Sequence, residues 1–101
     1  MTQGDKLRET EFYLDIRENP EYGVFITVYD KEVIEGDTFL KGKGYTKVSS
    51  GKDLIDELRG AVSIIFYGEK AVELGISLKY IHPDAVGVQK GVRTAIYIRT
   101  F

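Results

Sequence analysis

Two short runs, "EFYLDIR" and "VFITVYD", alternate strictly enough to demand a sheet covered on one face. A strand turns successive side chains to opposite faces, so Phe12, Leu14 and Ile16 share one face, with Tyr13, Asp15 and Arg17 on the other. In the second run Val24, Ile26 and Val28 face one way, and Phe25, Thr27 and Tyr29 the other. Between the runs, "ENPEYG" carries Pro20 and Gly23, which break strands and favour turns. The pair therefore reads as a hairpin. Whatever else the chain forms must cover the aliphatic face of that hairpin.

The next segment, "KEVIEGDTFLKGKGYTKV", holds a turn at "EGDT". The second strand can run on to Ile34 and pair with a third around Thr38–Lys47, where Gly42 and Gly44 would weaken it or mark a bulge. From Ser50 the period changes. Ser50 and Asp53 have capping-box spacing, with Asp in place of the usual Glu or Gln. Leu54, Ile55, Leu58, Ala61, Val62, Ile65 and Phe66 then fall on one helical stripe roughly 140° wide.

That stripe predicts an amphipathic helix over Gly51–Tyr67. The competing reading ends the helix near Gly60 and makes a strand of "AVSIIFY", rich in β-branched and aromatic residues. The stripe has no phase break, which favours the longer helix. Gly68 is then a candidate C-cap, "EKAVELG" adds a turn or two, and "ISLKYI" and "RTAIYIRTF" read as strands joined by the loop "HPDAVGVQKGV". The expected fold is α+β: a mainly antiparallel sheet of about five strands with one long amphipathic helix on one face, in the order β-β-β-α-β-β. One domain over 1–101 is expected, with residues 1–8 as a frayed arm.

At 101 residues, 43% apolar and 30% charged, the chain has the composition of a folded domain with a modest core, for which self-association is a common source of stability. The absence of cysteine excludes disulfides, thiolate metal sites and a cysteine nucleophile. The charged start "MTQGDKLRETEF" is unlike a signal peptide, and no apolar run reaches membrane-spanning length. A soluble cytoplasmic protein is the expectation. Charge is segregated: residues 1–37 carry four basic groups and ten acids, residues 38–101 ten basic groups and six acids. Acidic and basic strands lying side by side would neutralise this; otherwise it makes a surface dipole.

"KGKGYTKVSSGKD", Lys41 to Asp53, invites comparison with a phosphate-binding loop. Such a loop has four residues between its first glycine and the Gly-Lys pair, then Ser or Thr. Here six residues separate Gly44 from Gly51, and Asp53 follows Lys52. A capped helix after a lysine-rich strand or loop is the stronger reading. His82, the only histidine, stands before Pro83 and could be oriented by Asp84 as a general base, but a surface loop histidine is the simpler account. The acids Asp15, Glu18, Glu21, Asp30, Glu32, Glu35 and Asp37 lack the ordered pattern of a calcium loop and read as solvated hairpin charge. No catalytic residue, cofactor site or metal site is expected, and the chain reads as a non-enzyme; a small enzyme using His82 or the hairpin acids ranks third.

The outward sheet face is the feature that points to function. With Ile96 and Ile98 taken as inward, Tyr13, Phe25, Tyr29, Tyr97 and Arg99 form an aromatic and basic patch suited to a partner. The first expectation is a non-enzymatic binding module that self-associates as a dimer, or binds another protein, of the kind common among accessory and phage- or virus-encoded proteins. The alternative is a single-stranded nucleic-acid binder that stacks bases on the tyrosines and holds phosphates with Arg17, Lys41, Lys43, Lys79 and Arg93. Asp15 and the acidic hairpin oppose that alternative.

"YGVFITV" followed by "GKDLIDELRGAV" resembles a hairpin and one helix of the HicB-like antitoxin domain. "VIEGDTFLKGKGYTKV" stands where that family has a Pro-Gly-containing segment, and the resemblance implies no residue role or activity for this chain.

Overall fold

The computed structural model describes residues 10–36 and 47–100. They form an α+β fold with a mixed sheet of six strands. The first hairpin follows the alternation: β1 (Phe12–Asn19) pairs antiparallel with β2 (Gly23–Asp30), from Phe12 opposite Asp30 to Asn19 opposite Gly23. Its turn is closed by the Asn19 side chain, whose Oδ1 accepts the N–H groups of Glu21 at 2.8 Å and Tyr22 at 3.0 Å.

After β2 the chain enters a short helix, α1 (Lys31–Glu35), instead of extending the strand to Ile34. Strand β3 (Lys47–Ser49) pairs antiparallel with β1, and α2 (Gly51–Arg59) follows it. Strand β4 (Ala61–Tyr67) then lies parallel to β2. A parallel pair needs a crossover, and β3 with α2 supplies it. Helix α3 (Glu69–Ser77) leads through a 3₁₀ turn (Pro83–Ala85) to the hairpin of β5 (Gly87–Gln89) and β6 (Val92–Ile98). β6 pairs antiparallel with β4, giving the order β3-β1-β2-β4-β6-β5.

Beyond the run-on to Ile34, the expected mainly antiparallel sheet of about five strands with one long helix gives way, among the described residues, to a mixed six-stranded sheet with three helices. Two misread segments account for most of the difference. The stripe over 51–67 is not one helix: α2 stops at Gly60, and "AVSIIFY" is a central strand bonded to β2 on one side and β6 on the other. A central strand with apolar residues on both faces fits almost any period, so the helical stripe carried on through it by coincidence. β-branched content was the better guide. Likewise "ISLKYI" is not a strand. Its first residues finish α3, and Lys79 turns the chain with a φ of 66°. The third strand expected around Thr38–Lys47 falls mostly outside the described residues, as do the arm over 1–8 and Lys41 and Lys43.

The core forms on one sheet face. Phe12 and Leu14 of β1, Ile26 and Val28 of β2, and Ile64 and Phe66 of β4 meet Leu54 and Leu58 of α2 and Ala71, Val72 and Leu74 of α3. Burying each large side chain contributes about 1.5–3 kcal/mol. Helix α3 packs closely enough that a Cβ on Gly75 would stand 3.0 Å from the Phe66 ring and from Ile81. With α2 and α3 on this face, the opposite face defines what the molecule can present.

Candidate interaction surface

The orientation of β6 decides the composition of that opposite face, and it reverses the sequence expectation. Ala95 stands opposite Phe66 and Tyr97 opposite Ile64, so both point to the core. The bulky Phe66 leaves room for alanine beside it. The Tyr97 ring meets Tyr80 edge-on at 4.7 Å between centroids, and Tyr80 in turn lies 6.3 Å from Phe66. Burial pushes the Tyr80 phenol above its ordinary pKa. Ile96 and Ile98, expected inward, are 60% and 68% exposed.

On the outer face the registers align side chains into rows. One row runs Val48, Tyr13, Tyr29, Tyr67, with Tyr29 and Tyr67 tilted at 5.6 Å between centroids. The next runs Asp15, Thr27, Ile65, Ile96, and the third Arg17, Phe25, Ser63, Ile98. Phe25 and Ile65 are 38% and 36% exposed, so with the two isoleucines they form a connected apolar patch over β2, β4 and β6. Tyr13, Tyr29 and Phe25 thus lie on the expected face. Tyr97 does not, and the residues missed were Ile65, Ile96 and Ile98. For Ile96 and Ile98 the signal was present as apolar residues on both parities of the last strand, whereas Ile65 lay in the stretch read as helix.

Comparison with protein-family models, curated proteins and solved structures finds no match to this chain. The surface must therefore be judged on its own chemistry.

The expected cations are dispersed. Arg99 and Arg93 share the core-side parity of Tyr97; Arg99 donates to the Arg59 carbonyl, and Arg93 lies 3.6 Å from Glu73 of α3. Lys79 sits in the turn after α3. Of the described candidates only Arg17 shares the outer face, and its guanidinium is 3.4 Å from Asp15.

The remaining polar clusters have structural explanations. Asp30, at the inward end of β2, is buried and its carboxylate accepts the N–H groups of Lys70 at 2.9 Å and Ala71 at 2.6 Å, the first turn of α3. It caps that helix from a distant strand. Burial raises its pKa above the ordinary aspartate value and the Glu32 charge adds to this, while the two amide bonds and Lys70 pull the other way. Gly68 makes the approach feasible: its φ is 123°, and a Cβ there would come 2.4 Å from the Asp30 carboxyl carbon. His82 Nδ1 accepts the Asp84 N–H at 3.1 Å, which caps the 3₁₀ turn.

An open cleft of about 370 Å³ runs between the ends of β1 and β2 and helix α2, lined by Glu18, Asp53, Asp56, Glu57 and Lys47 among others. Lys47 is paired with Glu57, and Arg59 lies 3.6 Å from Asp56. Among the described residues no cluster of three or more histidines and acids could hold a metal ion. Ser50 occupies the N-cap of α2 but its side chain makes no cap hydrogen bond, and Asp53 stands in the first turn. No described helix is long and apolar enough to cross a membrane.

Proposed function

We propose that the protein is a non-enzymatic interaction module that self-associates through the β4–β6 side of its outer sheet face. One observation carries this reading: Phe25, Ile65, Ile96 and Ile98 are contiguous and exposed on the face opposite α2 and α3. Removing such a patch from water releases about 25 cal/mol per Å² of apolar area. Isoleucine and phenylalanine clusters of this kind mark contact surfaces more than solvent-facing ones. Among the described residues that the strand registers place in the rows of this patch, Asp15 and Arg17 at the far side are the charged ones. A second copy brings the same uncharged patch, and two-fold pairing of like surfaces is the commonest route to a small oligomer.

The nucleic-acid reading has less support. It needs cations beside the aromatic rings, whereas Arg93 and Arg99 lie on the other side of the sheet and Asp15 lies among the rings. The test is mass by light scattering across a dilution series, with and without a short single-stranded oligonucleotide. The expected outcome is a dimer that dissociates on dilution and gains no oligonucleotide mass. A monomer at every concentration defeats the proposal, and a complex with the oligonucleotide that dissolves as salt rises transfers the surface to the nucleic-acid reading.

A further inference from the structure

Among the described residues, the backbone of β6 has an open edge under the isoleucines of this patch. The Gly68 N–H donates to the Arg93 carbonyl and the Arg99 N–H to the Val62 carbonyl, each at 2.9 Å. In an antiparallel ladder bonding alternates, so Arg93, Ala95, Tyr97 and Arg99 turn their backbone groups to β4. Val92, Thr94, Ile96 and Ile98 turn theirs the other way. Strand β5 meets Val92 and Thr94 through Gln89 and Gly87, and there it ends. Its two-residue turn, Lys90 and Gly91 with φ of 52° and 77°, fixes that register. Among the described residues, no strand lies beside Ile96 and Ile98 on that side.

Exposed edges are usually blunted by charge, proline or a bulge. The opposite edge strand, β3, carries Lys47. The open stretch Ala95–Ile98 has none of these devices, and its two outward side chains are isoleucines. Such an edge accepts an extended, uncharged strand running antiparallel to it.

We propose that this occupant is the same stretch of a second copy, so that two sheets join edge to edge across a two-fold axis near Tyr97. The inference rests on the self-association reading and moves its contact from the outer face to the β6 edge beside that face. The edge is self-complementary: with Ile96 opposite Ile98 of the other copy, both residues of each chain present the donor and acceptor that the other lacks, a ladder of about four backbone hydrogen bonds. The isoleucines of the two copies then become cross-strand neighbours on the outer face, extending the row that begins at Ile65. Arg99 falls opposite Ala95 of the other copy, so no arginine faces its equivalent. Gly87, standing opposite Thr94, limits the pairing to about residues 95–99. This joint is short against the ~800 Å² per partner of a standard interface, which places the dimer among small, transient contacts.

The test compares four proteins by sedimentation equilibrium across a dilution series, each checked for its fold by circular dichroism. Ile98→Pro removes an N–H that points to the open edge and leaves the β4 ladder intact. Ile96→Lys keeps the whole backbone and guards against a proline variant that does not fold. Phe25→Lys alters the patch two strands away from the edge. The expected result is a wild-type dimer, a dissociation constant raised at least about tenfold by each β6 substitution, and a near-unchanged one for Phe25→Lys. A dimer that survives Ile96→Lys and Ile98→Pro but is lost in Phe25→Lys overturns edge pairing and leaves self-association through the face. A wild-type monomer throughout overturns both.

Discussion

Asp30 shows how a residue that reads as surface charge becomes a structural element. It stands at the end of a strand, next to a run of acids, and its partners Lys70 and Ala71 are some forty residues away. Nothing local identifies it as the cap of α3. Replacing it by alanine leaves two N–H groups unbonded at the start of a buried helix, at a cost of about 2–3 kcal/mol in urea unfolding. The pH dependence has a definite sign. Because the folded-state pKa is raised, the folded protein binds the proton more tightly than the unfolded chain does. Stability contributed by Asp30 therefore falls as pH rises from the ordinary aspartate range through the higher folded value, and is constant beyond it. The difference in unfolding free energy between wild type and Asp30→Ala should narrow over that window; a difference that widens would show that the two amide bonds outweigh burial. Taking the difference between the two proteins cancels the acids they share, although Glu32 and Lys70, ion-paired at 2.7 Å, lie near enough to couple.

At the scale of elements, the hairpin was legible because only one of its faces is buried in aliphatic contacts. β1 and β2 alternate, and a one-residue slip would exchange core and solvent faces. β4 and β6 lack that constraint. β4 lies between two strands and carries Ile64 inward and Ile65 outward, so its sequence fixes no parity and mimics a helix. In β6 the outward isoleucines look more like core than the inward residues, of which Ala95 stands beside Phe66 and Tyr97 packs against Tyr80. The helical reading of "EKAVELG" anticipated most of α3, but as the tail of the preceding helix, and the alternation of "ISLKYI" concealed its last residues, Ile76 and Ser77. The candidate patch was accordingly visible only in part: Phe25 from the hairpin, but neither Ile65 of β4 nor Ile96 and Ile98 of β6. The parity of β6 has a direct energetic consequence. Ala95→Leu forces extra volume against Phe66 and should cost about 1–3 kcal/mol. Ile96→Thr, on the exposed side, should change the unfolding free energy of the dilute protein by no more than about 0.5 kcal/mol. Equal losses from the two substitutions would contradict the register described.

At the scale of the molecule, strand order converts the charge segregation of the sequence into a spatial one. The acidic N-terminal strands and the basic C-terminal hairpin are not neighbours: β4, which has no charged residue, separates β2 from β6. Among the described strands β2 and β6 therefore do not neutralise one another; the described sheet is more acidic toward β1 and β2 and more basic toward β5 and β6, with Lys47 of β3 as the cation beside β1. From Gly87 to Thr100 the chain carries Lys90, Arg93 and Arg99 and no acid. Edge-to-edge pairing through β6 brings two such basic regions toward one another. Their repulsion acts beyond the contact itself and is screened once the Debye length falls below about 10 Å, near 0.1 M salt. Self-association should therefore strengthen as ionic strength rises, by several-fold in dissociation constant between about 20 mM and 300 mM. Burial of the isoleucines, being uncharged, does not oppose that trend. Binding of a nucleic-acid backbone would follow the opposite slope, because phosphate contacts release counterions and weaken with salt. One salt series on the dimer, followed by sedimentation, thus separates the two uses of this surface by sign. A dissociation constant that rises with salt would mean that attraction between the acidic and basic ends, in a head-to-tail arrangement, holds the copies together instead of the shared edge of β6.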